Sequence, residues 1–115
     1  MTYVNGMVAA VPKANKQAYL DHAKSAAKIF REFGATSVVE GWGADVPKGE
    51  TTDFWRAVQA KDDEVIVFSW ISWPNKATHD AGWEKLMKDE RMMGMDMPFD
   101  GKRMIYGTFE TIFEA

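Results

Sequence analysis

The first third of this chain contains two different patterns of hydrophobic and polar residues, one that predicts a strand and one that predicts a helix. The segment from Tyr3 to Val11 is short and partly β-branched, and it stops at Pro12, which predicts a strand. From Lys16 to Phe33, apolar residues recur every three or four positions, which predicts an amphipathic helix with Asn15 as its N-cap and Gly34 just past its end. The apolar stripe of this helix comprises Tyr19, Ala23, Ala26, Ala27, Phe30 and Phe33.

The middle of the chain predicts strands separated by turns. Thr36 to Asp45 is a predicted strand, and residues 46–52 are a predicted exposed loop. Asp53 to Ala60 and Glu64 to Trp73 flank Lys61-Asp62-Asp63, which predicts a β-hairpin with a three-residue turn. The first arm is open to a second interpretation, because Phe54, Ala57 and Val58 could also line a short helix.

The last third predicts one more helix and one more strand. Asn75 can cap a helix over Lys76 to Asp89, Met92 to Lys102 is irregular, and Met104 to Phe113 is a final strand. The predicted order β-α-β-(β-β)-α-β is the split βαβ pattern of an α+β, ferredoxin-like fold. We therefore expect a single domain over residues 1–115, with an antiparallel sheet, two helices on one face and an extra hairpin strand.

Both faces of the predicted sheet are apolar. In the strand from Glu64 to Trp73, one face carries Val65, Val67, Ile71 and Trp73, and the other carries Ile66, Phe68 and Trp70. Two helices can cover only one face, so the second face would form an apolar patch larger than monomers usually expose. We expect a homodimer that buries this face; the alternative is that the extra strand and the methionine-rich segment fold back over it.

Composition narrows the functional classes. The chain has 115 residues, a net charge of −3 and no cysteine, which excludes a disulfide scaffold, a thiolate metal site and a cysteine nucleophile. The acidic balance and the short apolar runs lead us to expect no nucleic-acid partner, no membrane partner and a cytoplasmic location.

Two long strings of this sequence resemble the DUF1428 family of small bacterial proteins. They run from Gly34 to Pro74 (GATSVVEGWGADVPKGETTDFWRAVQAKDDEVIVFSWISWP) and from Met97 to Glu110 (MPFDGKRMIYGTFE), with Thr108 where a second glycine is expected. The resemblance implies a ferredoxin-like fold of the dimeric α+β barrel type. Relatives with that architecture include cofactor-independent monooxygenases, haem-binding peroxidases and proteins of no known activity. The resemblance therefore identifies no catalytic residue in this chain.

Few residues offer catalytic chemistry. His22 and His79 lie on different helices without a partner one turn away, so we expect no metal site. His22 lies beside the buried helix stripe and is a candidate proton-transfer group. Glu40 shares an apolar strand face with Val38 and Trp42, where burial would raise its pKa and make it a candidate general base. The alternative is that Glu40 faces water or pairs with an arginine.

The aromatic residues and one basic turn suggest ligand binding instead. Trp42, Trp70 and Trp83 could line a cavity between helices and sheet, beneath a lid formed by the methionines of residues 92–97. Arg103, in the turn Pro98 to Arg103, could bind an anion or could anchor the turn by pairing with Asp100 or Glu110.

The sequence leaves two main functions open and does not decide whether the protein is an enzyme. The first is a small dimer that binds an apolar or aromatic ligand without a cofactor. The second is a cofactor-independent monooxygenase acting on an aromatic substrate. A haem protein with His22 or His79 as the iron ligand is a third interpretation.

Overall fold

The computed structural model describes residues 2–115 as a four-stranded antiparallel sheet with its two main helices on one face, which confirms the predicted α+β, ferredoxin-like fold. In chain order the elements are β1 (Tyr3–Pro12), α1 (Lys16–Glu32), β2 (Ser37–Trp42), α2 (Phe54–Ala57), β3 (Glu64–Trp73), α3 (Lys76–Lys88), α4 (Glu90–Met93) and β4 (Ile105–Glu110). Short 3-10 turns cover Lys13–Asn15 and Gly101–Arg103.

The strands lie in the order β2-β3-β1-β4, and every neighbouring pair is antiparallel. In the register of the central strand β1, Tyr3 lies opposite Trp73 of β3 and opposite Glu110 of β4. Because β1 and β3 have a neighbour on both sides, they carry most of the buried residues, while β2 and β4 are edge strands.

The long helix α1 follows its sequence pattern closely. Its buried residues are Tyr19, Ala23, Ala26, Ile29 and Phe30, and it ends before Gly34, whose φ of 115° lies in the left-handed region that favours glycine. Asn15 does not cap this helix with its side chain, because its amide instead donates to the Pro98 carbonyl at 2.8 Å. Asn75 does cap α3, accepting from the Thr78 N–H at 2.8 Å. No helix among residues 2–115 is long and apolar enough to cross a membrane.

The predicted extra hairpin strand is wrong, because Asp53 to Ala60 contains the short helix α2 instead. The Asp53 carboxylate accepts from the Arg56 N–H at 2.7 Å and caps this turn. The Arg56 guanidinium donates to the carbonyls of Glu50 and Thr51, which fixes the preceding loop. These local hydrogen bonds favour a helical turn over a strand, as the alternative interpretation of this segment expected.

Residues 46–60 pack on the sheet without joining it. Val58 is fully buried against Val8, Ala10 and Ile66, which belong to the sheet surface opposite α1 and α3. We name that surface the outer face. Segment 46–60 therefore covers only one end of it.

The rest of the outer face is apolar and open. Its exposed apolar side chains are Val39, Phe68, Ile105 and Phe109, and Trp70 between them is half-buried. Phe68 and Phe109 keep 47% and 62% of their accessible surface. The methionine-rich segment lies on the opposite, helix-covered side, where Met92 and Met95 pack against the core. It does not cover the outer face.

Candidate functional site

A groove of about 870 Å³ lies between α3, the segment from Met97 to Met104, and the strands β1 and β4. It exists because α1 and α3 cover the other strands but leave the helix side of β4 open, where Tyr106 keeps 76% of its surface exposed. Its volume is within the range of small-molecule sites. Most of its side chains are apolar or aromatic: Met7, Trp83, Met87, Met97, Phe99, Met104 and Tyr106; the polar and charged ones are Asn5, Asp100, Lys102 and Thr108.

Trp83 is the rigid part of the groove wall. Its ring lies nearly parallel to Phe30, with centroids 6.4 Å apart, and nearly parallel to the His79 imidazole, with centroids 5.5 Å apart. Met87 and Met97 are exposed on the same groove. The combination of one fixed indole with unbranched thioethers suits an apolar surface that adapts to its ligand.

A buried hydrogen-bond network supports the groove floor. The indole Nε1–H of Trp73 donates to Asn5 Oδ1 at 2.7 Å, and Asn5 Nδ2 lies 3.1 Å from His79 Nε2. His79 Nδ1 lies 2.9 Å from a carboxylate oxygen of Asp80. Asn5, Trp73 and His79 are all buried.

The network fixes the orientation of every group in it. An indole N–H can only donate, so Asn5 must present its oxygen to Trp73 and its nitrogen to His79. His79 Nε2 is then an acceptor, which assigns the imidazole proton to Nδ1, where it is donated to Asp80. Both ring nitrogens of His79 are thus engaged, and neither is free to ligate a metal.

Sequence reasoning missed Asn5, and it treated His79 as an isolated helix residue. The available signal was the position of Asn5 in an otherwise apolar strand, since a buried asparagine needs partners for its amide. Those partners lie 68 and 74 positions away along the chain, so sequence spacing could not identify them.

Glu40 and Tyr19 form a second polar cluster, between β2 and α1. The Tyr19 hydroxyl donates to a Glu40 carboxylate oxygen at 2.6 Å. Partial burial raises the pKa of Glu40, and burial together with the neighbouring carboxylate raises the pKa of Tyr19. Ser69 lies opposite Glu40 in the sheet, and its buried hydroxyl has no partner among residues 2–115. Glu40 therefore pairs with Tyr19 and not with an arginine.

His22 lies at the edge of the groove wall and does not line the groove itself. Its ring centroid is 6.5 Å from that of Phe99, which separates it from the groove. Partial burial lowers the pKa of His22, while the backbone of Asp96 acts in the opposite direction. The shift favours the neutral form of the imidazole.

Arg103 is held by carboxylates. Its two terminal nitrogens donate to both oxygens of Glu64, at 2.8 and 2.7 Å, and its Nε donates to Asp100 at 3.0 Å. The pairing with Asp100 agrees with the anchoring interpretation, but the second partner is Glu64, on β3, and not Glu110. Its three nitrogens are engaged within the fold, and its side chain does not line the groove. The anion-binding role predicted for Arg103 has no support in this geometry.

The three tryptophans proposed as ligand contacts lie in different places. Trp83 lines the large groove. Trp42 packs against the cluster of Tyr19 and Val67 and borders a small apolar cavity of about 200 Å³ with Phe54 and Phe68. Trp70 lies on the outer face beside Phe68, with ring centroids 5.8 Å apart. The structure thus brings only Trp83 to the space between α3 and the sheet.

No metal centre is assembled in the part of the chain that the structure describes: residues 2–115 contain no cluster of three or more His, Asp or Glu side chains able to hold an ion. The absence of a metal from the functional protein stays a prediction.

Comparison with known proteins places the chain in one family. A model described as "Protein of unknown function (DUF1428)" matches residues 2–101. The "Uncharacterized protein YbaA" of Escherichia coli K12 is 53% identical over 116 residues, covering 99% of this chain and 99% of that protein. The YbaA of Shigella flexneri is equally similar.

Solved structures share the fold at low sequence identity. A dimeric ferredoxin-like protein from an uncultured marine organism has a TM-score of 0.62 at 9% identity and covers 99% of this chain and 98% of its own. Rv0793 from Mycobacterium tuberculosis has a TM-score of 0.50 at 10% identity and covers 98% of each chain. These likenesses support the ferredoxin-like architecture alone.

Proposed function

The chain belongs to the DUF1428 family of proteins of unknown function, and from its geometry we propose that it is a homodimer that binds a small apolar or aromatic molecule in the groove, without a metal. The observation that carries this proposal is the composition of the groove. A volume of about 870 Å³ is lined mainly by one fixed indole, several methionines and two further aromatic rings, with Asp100 and Lys102 as its charged side chains. Small-molecule sites have this character.

The binding claim can be tested with a neutral aromatic fluorophore. N-phenyl-1-naphthylamine brightens in apolar surroundings, and we expect it to bind the wild-type protein saturably. Thr108 is exposed on the groove floor, so Thr108→Trp should fill the groove without disturbing the core and weaken binding about tenfold or more.

Ser25→Trp is the matched control, because Ser25 is exposed on α1 and does not line the groove. This variant should bind as the wild type does. Equal binding by wild type and Thr108→Trp would place the fluorophore elsewhere and would refute the groove as the site.

The outer face supports the proposed dimer. Phe68, Phe109 and Ile105 are exposed together with Val39, and Trp70 lies among them. A standard interface buries about 800 Å² on each partner, and its centre is more apolar than the remaining surface. A second copy related by a two-fold axis would match this face to itself, which is the commonest symmetric arrangement. The dimeric description of the marine ferredoxin-like protein is consistent with this arrangement.

Light scattering tests the dimer. Because one chain has a mass of 13.0 kDa, the wild type should give twice that mass at micromolar concentration. Phe68→Glu should give the mass of a single chain, since it buries a charge in the apolar interface. Leu20→Glu is the control, because Leu20 is exposed to 42% on α1, and it should remain dimeric. A wild type with the mass of one chain contradicts the proposal.

A second candidate function, a cofactor-independent monooxygenase, draws on His22. The lowered pKa of this imidazole favours its neutral form, the form in which a general base acts, and the ring lies beside Phe99 at the edge of the groove. Glu40, bonded to Tyr19, is the other candidate base. The test is oxygen uptake with anthrone, which consumes one O₂ and yields anthraquinone and one water. Catalysis should fall in His22→Gln or Glu40→Gln with the fold intact; no uptake above the background rate would leave only binding.

A further inference from the structure

The groove floor contains a donor that the protein itself does not use. Asn5 Nδ2 carries two protons, and its amide orientation is fixed by the Trp73 indole, which must face Oδ1. One of the two protons is directed to His79 Nε2. No acceptor among residues 2–115 takes the second, and Asn5 borders the groove.

A second donor lies directly across the sheet from the first. In the register of β1 and β4, Thr108 is the partner of Asn5. Both side chains therefore project from the same, helix-covered side of the sheet, and directly opposed residues have Cα atoms about 5 Å apart. The Thr108 hydroxyl is exposed on the groove and can rotate to donate.

We propose that this groove selects aromatic molecules that carry a hydrogen-bond-accepting oxygen, such as a ketone or a phenolate, and that Asn5 Nδ2 and Thr108 Oγ bind this oxygen. The inference rests on the proposed function, because it names the chemical class of the groove's ligand. The selected group is an acceptor, since the Asn5 oxygen already accepts from Trp73 while its nitrogen keeps a free proton. The apolar wall around Trp83 would hold the ring system.

Asn5 is the positioning centre of this arrangement, and its neighbours explain why it is rigid. An amide on a free side chain could rotate to offer either its oxygen or its nitrogen. Here rotation would set the Asn5 NH₂ against the Trp73 N–H and lose both hydrogen bonds of a buried residue. The donor is therefore oriented before any ligand arrives, which reduces the entropy lost on binding.

A matched pair of ligands tests the selection. 2-Acetylnaphthalene and 2-isopropylnaphthalene have nearly the same shape, but only the first carries an accepting oxygen. In displacement of N-phenyl-1-naphthylamine from the wild type, the acetyl compound should bind at least about fivefold more tightly. Thr108→Val should reduce this ratio, whereas Thr51→Val, a change in an exposed loop, should preserve it.

A measurement on the wild type avoids substituting the buried Asn5. The chain has three asparagines, Asn5, Asn15 and Asn75, so selective ¹⁵N labelling of asparagine side chains gives three NH₂ groups, each with two proton signals. Saturation with 2-acetylnaphthalene should shift one Asn5 amide proton downfield, as expected for a new hydrogen bond. The amides of Asn15 and Asn75, which do not line the groove, should stay in place.

The outcomes separate this inference from the function on which it rests. If both naphthalenes displace the fluorophore equally and the Asn5 amide does not shift downfield, the groove binds ligands but does not select an accepting oxygen, and this inference is wrong. If neither compound nor the fluorophore binds, the proposed function itself fails.

Discussion

The most enclosed ion pair of the fold joins Glu64 at the start of β3 to Arg103 in the turn before β4. Glu64 is only 4% exposed, and it also accepts from the Lys61 N–H at 2.7 Å. Arg103 binds both Glu64 oxygens at once and additionally donates to the Gln59 carbonyl at 2.8 Å. This bidentate geometry ties the turn at the groove rim to the sheet, because the planar guanidinium matches a carboxylate.

Removing the cation should destabilise the protein strongly. Arg103→Met keeps much of the side-chain bulk but leaves the buried Glu64 carboxylate without its partner. We expect the melting temperature to fall by about 5 to 15 °C at pH 7, measured by circular dichroism. The double variant Glu64→Gln/Arg103→Met should recover a large part of this loss. If Arg103→Met has the same melting temperature as the wild type, Arg103 does not anchor the turn.

The same pair makes stability depend on pH with a defined sign. Arg103 lowers the pKa of Glu64 below its ordinary 4.5 and the pKa of Asp100 below its ordinary 3.8. The stabilisation of the fold by these two carboxylates is fully present above their unfolded-state pKa values. It is lost as the pH falls through their folded-state pKa values. The difference in melting temperature between wild type and Arg103→Met should therefore narrow from pH 6 to about pH 3. If the difference in melting temperature between the two proteins is the same at pH 6 and about pH 3, the ion pair of Glu64 and Arg103 is not the source of that difference.

Individual side-chain roles were only partly predictable. The position of Arg103 beside Asp100 in sequence indicated an anchored turn, but its Glu64 partner is 39 positions away and comes from the strand pairing. One of the two interpretations of Glu40 expected burial to raise its pKa, and partial burial does raise it, although the hydrogen bond from Tyr19 acts in the opposite direction. Asn5 could not be assigned a role, since its importance depends on Trp73 and His79 reaching it in space.

The helices with a clear hydrophobic periodicity were predicted from sequence, whereas the structure of the short segment 53–60 was not. Helix α1 was expected over Lys16 to Phe33 and spans Lys16–Glu32, and α3 was expected over Lys76 to Asp89 and spans Lys76–Lys88. Segment 53–60 lacked a decisive period, and its outcome depended on the Asp53 cap and on burial of Val58 beneath the sheet. Short segments are decided by such tertiary contacts more than by propensity.

The packing of α3 against Trp73 depends on one glycine. A Cβ atom at Gly82 would lie 2.7 Å from the Phe33 carbonyl oxygen and 2.7 Å from the Trp73 ring. Although alanine favours helices by about 1 kcal/mol over glycine, we expect Gly82→Ala to destabilise the protein by about 1–3 kcal/mol net in urea unfolding.

Gly94→Ala provides the control for this prediction. Its added Cβ would meet only the Glu90 carbonyl, at 3.3 Å, so we expect little change in the free energy of unfolding. Equal effects of the two substitutions would mean that close approach of α3 to Trp73 is not the reason for glycine at position 82.

At the scale of the whole molecule, the two sheet faces have different roles. The helix-covered face contains the main core and the groove, while the outer face is covered at one end by residues 46–60 and is otherwise open. The sequence indicated two apolar faces from the strand pattern alone. It also predicted a cavity between the helices and the sheet, but it could not place the groove beside β4, because that position results from how far α1 and α3 extend over the sheet. The proposed dimer and the proposed ligand site therefore use opposite sides of one sheet.

Methionine methyl NMR tests the central claim, that an apolar molecule binds between α3 and the sheet, most directly. With ¹³C-methyl methionine labelling, saturation with N-phenyl-1-naphthylamine should shift the signals of Met87, Met97 and Met104, which line the groove. The signal of Met93, which is 70% exposed outside it, should not move. Shifts confined to methionines outside the groove, or no shift at saturating fluorophore, would contradict the account.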